Sequence, residues 1–194
     1  MTKDGAKMAA EKVAAIEDGA DFEAIMAEKK PATETVPLCM DYGLVIARDK
    51  AARLSISADR EERRDADDED KRAVAAALRL DLADAEELVV AASRDFSFES
   101  IGRQAYEELQ RVHAPSKKQV DDFKEELGKL GLPKTSTLQY NPDKFPPALI
   151  SSCSLSPKMT FQQAERLWNS TSFTRAELAK LFQAAVDVNN LIAS

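Results

Sequence analysis

The chain has 194 residues, of which 44% are hydrophobic and 31% charged, with 34 Asp and Glu against 27 Lys and Arg. That length suits one domain with an appendage or two small ones, and so polar a chain, with no apolar run of bilayer length, is not expected to span a membrane. Residues 1–100 hold 15 Lys and Arg against 24 Asp and Glu, and residues 101–194 hold 12 against 10; the acidic half would repel a phosphate backbone, so nucleic-acid binding is not expected.

In chain order, residues 1–30 read as a helical, partly flexible segment. Met8, Val13 and Ile16 form a loose stripe and Gly19 interrupts it. Phe22, Ile25 and Met26 then recur at helical spacing in "ADFEAIMAEKK", and Pro31 ends the helix. Residues 31–133 form a helical region with short strands. Val36, Leu38 and Met40 alternate as a strand does, with Pro37 confining it to a sheet edge. From Leu44 to about Ser93 the pattern is helical and alanine-rich, a hairpin broken near the charged block "DREERRDADDEDKR". In that block Asp67 and Lys71, and Asp68 and Arg72, stand four apart, as ion pairs on an exposed helix would. "RDFSFES" alternates Phe96 and Phe98 with polar residues, a second strand and the natural partner of the first.

A helix carrying Ile101, Tyr106, Leu109 and Val112 follows, and Pro115 closes it. Ser116 and Gln119 make a capping box for the next helix, which presents Val120, Phe123 and Leu127 and stops at Gly131–Leu132–Pro133. Residues 134–144 read as a linker ending in the turn signal Asn141–Pro142–Asp143. Residues 145–194 form a compact mini-domain of three short helices. Pro146 and Pro147 suit the first turn of a helix, where a missing N–H costs nothing, and Pro157 is expected to end that helix. Thr160 with Gln163 and Thr174 with Glu177 cap the other two. Phe161, Ala164, Leu167 and Trp168 line the second helix, and a stripe from Leu178 through Leu181, Phe182, Ala185 and Val188 to Ile192 lines the third. Helices this short depend on their neighbours. The fold class expected is mainly α, with a small sheet of two or three strands drawn from residues 36–40 and 94–99.

The residues point to no catalysis. Phosphate-binding glycine loops and nucleophile elbows are missing from the sequence. One histidine, His113, and two separated cysteines, Cys39 and Cys153, cannot assemble a clustered zinc site, and no cofactor is expected. The cysteines suit a reduced, cytoplasmic protein, and the N-terminus lacks the apolar core of a signal peptide. Trp168, Phe173 and Phe182 read first as core residues.

"YNPDKFPPALISSCSLSPKMTFQQAERLWNSTSFTRAELAKLFQAAVDVN" resembles the C-terminal half of the tail assembly chaperones of long-tailed (siphovirus-type) phages of actinobacteria. The shared features are Asn-Pro, an aromatic, Pro-Pro-Ala-Leu, a small-residue run with a proline, a tryptophan helix and a last helix ending in Val-Asn. "DFEAIMAEKKPATETVPLCMDYGLVIARDKAARL" and "FSFESIGRQAYEELQRVHAPSKKQ" fit the same family, so the resemblance covers most of residues 21–189. Ser156 stands where the family often has an acidic residue, and "NSTSFTRAE" is more polar than its counterparts. The resemblance implies a non-enzymatic protein of the host cytoplasm. Such a protein binds the helical tape-measure protein, keeps it soluble while the tail tube protein polymerises around it, and is absent from the mature virion. A longer frameshifted form of the chain is a further implied partner. A minor tail or head–tail connector protein of the virion is the alternative. The partner surface expected is an apolar groove between the helix of Val120, Phe123 and Leu127 and the C-terminal helices, with Phe145, Leu149, Trp168, Phe173 and Phe182 contributing.

Overall fold

A computed structural model describes residues 20–133 and 135–190, with side chains throughout except at residues 20, 21 and 26. The expected stripe of Met8, Val13 and Ile16, and Ile192 at the other end, lie outside the described residues. The chain divides into two compact units at Ala32. In the described part of the first, helix α1 (Ala20–Glu28) stops short of Pro31, as the sequence predicts.

The second unit is mainly α with a small antiparallel sheet, the fold class expected. Strand β1 (Thr33–Cys39) leads into the long helices α2 (Tyr42–Arg64) and α3 (Glu69–Ala91), and strand β2 (Ser93–Glu99) returns beside β1. Helices α4 (Arg103–Val112) and α5 (Lys117–Lys129) follow. Then come α6 (Phe145–Cys153), strand β3 (Ser154–Ser156), α7 (Phe161–Trp168) and α8 (Arg175–Asn190). The strand order is β1-β2-β3.

The pairing of β1 with β2 runs in one register, from Thr33 opposite Glu99 to Cys39 opposite Ser93. Beyond it, the Met40 N–H donates to the Ala92 carbonyl at 3.0 Å. Met40 and Ala92 continue the register, so the even-numbered residues of β1 make the ladder bonds. Pro37 is odd-numbered, and its missing N–H falls on the free edge, where it leaves no gap and offers one donor fewer to an intruding strand. At the non-bonded pair Thr35–Ser97, where side chains approach closely, the two hydroxyls lie 2.9 Å apart. Leu38, Phe96 and Phe98 point to the other face and are buried.

Helices α6 and α8 cover that inner face. Phe145 through Ile150 are all buried, so the first six residues of α6 are apolar all round and sit at the centre. Leu181, Ala184, Ala185 and Val188 of α8 complete the core with Ala164 of α7. The C-terminal helices therefore share one core with the sheet, where the sequence suggested a mini-domain of their own. Helix α6 also ends earlier than Pro157. The Ser154 hydroxyl donates to the Ser151 carbonyl at 2.9 Å and accepts the Met159 N–H at 3.0 Å, and the chain between them extends along β2 as β3.

The capping boxes at Ser116–Gln119 and Thr160–Gln163 are formed, and Thr174 and Glu177 cap α8 reciprocally. Gly131 ends α5 in the left-handed region, at φ 69°, and lets the Leu132 N–H reach back to the Leu127 carbonyl at 2.9 Å.

Candidate protein-binding surface

The hairpin of α2 and α3 is the most extended element. At 1.5 Å per residue its 23-residue helices are each about 35 Å long. They pack on each other along their length and meet the rest of the unit chiefly at β1. Ser55, Ala58 and Ala75 are buried in the seam, and Leu78, Leu82, Ala85 and Val89 follow along α3 at heptad spacing, half-buried. The seam is thin because its centre is built of such small residues, and larger apolar side chains remain outside. Tyr42, Ile46, Leu54 and Ile56 of α2 are exposed, as are Val74, Leu80, Leu88 and Val90 of α3. Helical spacing spreads these side chains around both helices, and a partner would cover those that share one side.

The charged tip differs from the expected pairing. Helix α3 begins at Glu69 with Asp68 as its cap, accepting the Asp70 and Lys71 N–H groups at 3.1 Å. Asp67 and Asp68 thus precede the helix and cannot act as its i,i+4 partners. Lys71 instead bridges Asp65 at 2.5 Å and Asp68 at 3.3 Å, while Arg72 donates to the Ala66 carbonyl. These exposed pairs fix the turn geometry more than they stabilise the fold.

The side chains expected to form the partner surface separate into three groups. Phe145 and Leu149 are fully buried and unavailable to a partner. Trp168, Phe173 and Phe182 are half-buried and pack against the core. Phe182 meets Trp168 edge-on at 6.1 Å and Tyr140 at 5.7 Å, and Tyr140 stacks on Phe145 at 4.6 Å. Val120, Phe123 and Leu127 are half-buried on α5, which touches the rest of the unit only sparsely. Its main tie is polar: Gln119 Nε2 donates to Asn141 Oδ1 at 3.1 Å. Among the described residues α5 makes few contacts with the C-terminal helices, and Asn141 ties only its start to the proline-rich turn.

Asn141 organises the proline-rich turn. Its side-chain oxygen accepts the Asp143 and Lys144 N–H groups at 2.9 and 3.2 Å, and its own N–H donates to the His113 carbonyl at 2.8 Å. His113 lies at the C-terminal end of α4 and supplies its backbone to this turn. Cys153 is buried, and burial raises its thiol pKa, which keeps it a neutral packing group. Burial likewise raises Tyr106 and Tyr140 above the ordinary phenol range.

A second polar hub, Asn189, closes the Val-Asn pair noted in the sequence, but its role was not legible there because its partners lie far away in the chain. Its Oδ1 accepts from the Ser100 hydroxyl at 3.2 Å and the Ile101 N–H at 3.1 Å. Its Nδ2 donates to the Ala185 carbonyl at 2.8 Å and to Cys153 Sγ at 3.1 Å. Asn189→Ala leaves several half-buried groups unpaired and is expected to cost about 1–3 kcal/mol. A shift of the urea midpoint checks this, and an unchanged midpoint would show that water replaces the side chain freely.

No group of three or more His, Cys, Asp or Glu side chains among the described residues is placed to hold a metal ion. No described helix is long and apolar enough to cross a membrane. Comparison with family models, with curated proteins and with solved structures returns no match to this chain.

Proposed function

We propose that this protein is a phage tail assembly chaperone that binds the tape-measure protein and keeps it soluble during tail tube assembly. The ordered resemblance over residues 21–189 supports this reading. The observation that carries it is the hairpin: α2 and α3 leave eight large apolar side chains exposed along paired helices. Amphipathic helices dock on such surfaces. The acidic first hundred residues suit a carrier that must keep an apolar cargo dispersed.

Co-expression with the tape-measure protein encoded beside it tests the reading. Soluble tape measure is expected with the intact chain and aggregated tape measure without it. A tape measure that stays insoluble, together with stoichiometric recovery of this protein in purified virions, would replace the chaperone by a structural virion component.

A further inference from the structure

The two broad faces of the hairpin differ, and the difference selects a partner. Across one face Arg79 reaches from α3 to α2, bonding Asp59 Oδ1 through Nε at 3.0 Å and pairing with Glu62 as well. The same side of α3 also carries a depression lined by Ala83, Glu86, Glu87 and Val90, so the ion pair crosses that face without filling it. The other face carries no ion pair between α2 and α3 among the described residues. Ala58 and Glu61 of α2 and Asp70 and Val74 of α3 line a single depression of about 150 Å³ there. Helical spacing extends both rims from this depression. On α2, Ala51 and Leu54 precede Ala58 in the same phase. On α3, Ala77, Asp81, Asp84 and Leu88 follow Val74 at alternating steps of three and four. The α3 stripe lies beside the one that pairs with α2, and on α2 the buried Ala58 belongs both to the seam and to the rim of the depression.

Leu54, Val74 and Leu88 are 47%, 55% and 54% exposed, an apolar line with no cover among the described residues. The small residues between them leave a shallow trough of the kind that receives the ridge of another helix. Four carboxylates, Glu61, Asp70, Asp81 and Asp84, lie along these stripes against one lysine, Lys50, a turn before Leu54 and bordering a depression with it, so the face is acidic on balance. Lys71 also borders the depression, but its ammonium is held by Asp65 and Asp68. The geometry points to this face as the docking site for an amphipathic helix whose apolar ridge is flanked by Lys and Arg, completing a three-helix bundle with α2 and α3. Charge complementarity sets the sign of the flanks, and the apolar line sets the ridge. The inference rests on the chaperone reading only for the identity of the partner, which would be a basic-flanked helical segment of the tape-measure protein.

A helical probe peptide separates the two ideas. The full chain is titrated with a designed amphipathic peptide carrying a leucine stripe flanked by lysines, and with the same peptide flanked by glutamates. The lysine peptide is expected to bind at least roughly tenfold more tightly, with affinity falling as salt rises. The neutral triple variant L54S/V74S/L88S should weaken it by a further factor of roughly ten or more, since it removes the apolar contact without changing charge. Because these side chains are half exposed, the variant should stay folded with a modestly lower melting temperature, which circular dichroism checks. Equal binding of both peptides overturns the proposal, and so does lysine-peptide binding that the triple variant leaves unchanged. A concentration-dependent dimer that the triple variant abolishes would assign the face to a second copy and overturn it as well. Co-expression keeps the two readings apart. If wild-type chain solubilises the tape measure and the triple variant does so equally well, this face is not the site and the chaperone reading stands. If wild-type chain fails, the chaperone reading falls and the peptide titration still decides the face.

Discussion

Replacing Phe145 by alanine is expected to cost about 3–5 kcal/mol, enough to unfold much of the protein at ambient temperature. The ring is fully buried at the start of α6. It stacks on Tyr140 at 4.6 Å and meets Tyr106 and Phe182 edge-on at 6.0 and 6.1 Å, so its loss leaves a cavity bordered by three other rings. Stiff prolines follow at 146 and 147, and α6 cannot slide inward to fill the space. Chemical denaturation of Phe145→Ala against wild type checks the magnitude. Phe161→Ala is the contrasting substitution: that ring is 38% exposed at the start of α7, and its loss should be much milder. Equal effects at the two positions would mean that burial does not rank the aromatic side chains.

Removing residues 175–194 is expected to have the largest effect, abolishing the cooperative folding transition of the second unit. Helix α8 packs on both β1 and β2, and its Leu181, Ala184, Ala185 and Val188 close the core over Leu38, Phe96 and Phe98. Without it a three-stranded sheet has an uncovered apolar face, and α6 loses the helix against which it is buried. Loss of the sigmoidal thermal melt by circular dichroism, with residual helix from the hairpin, is the outcome sought. A truncated chain that still melts cooperatively would show that the C-terminal helices fold apart from the sheet. The shared core also explains why surface substitutions on the hairpin, rather than C-terminal deletions, are the proper probes of partner binding.

Much of the local structure was legible in the sequence. Its signals there are short-range: Ser116 and Gln119, Thr160 and Gln163, and Thr174 and Glu177 are each three residues apart, and the bonds they make are set by helical geometry alone. The strand alternation around Leu38, Phe96 and Phe98 was likewise visible, because a period of two needs no knowledge of the partner strand. Pro37 marked its strand as an edge, for a missing N–H is tolerated only there. The hairpin break near the charged block was visible too, although the ion pairs shifted once Asp68 became the cap of α3.

Tertiary structure alone decided the rest. Phe145 opens the apolar run Phe145–Ile150 and Trp168 stands among mostly polar neighbours, a local hint at their ranking that says nothing of what covers either ring. Their difference comes from α8 and Tyr140 closing over Phe145. The third strand was hidden because Ser154–Ser156 has no alternation to read; it extends because the Ser154 hydroxyl ties both flanking turns and β2 offers an open edge. Asn189 gathers partners from Ser100, Ile101 and Cys153, a coincidence that only the packing of α8 creates. The asymmetry of the hairpin faces has the same origin. Arg79 crosses one face because Asp59 and Glu62, seventeen or more residues away in the chain, come within reach once α2 and α3 pair. Short-range hydrogen bonds and periodicity are written along the chain, whereas burial and partner choice depend on which distant elements meet.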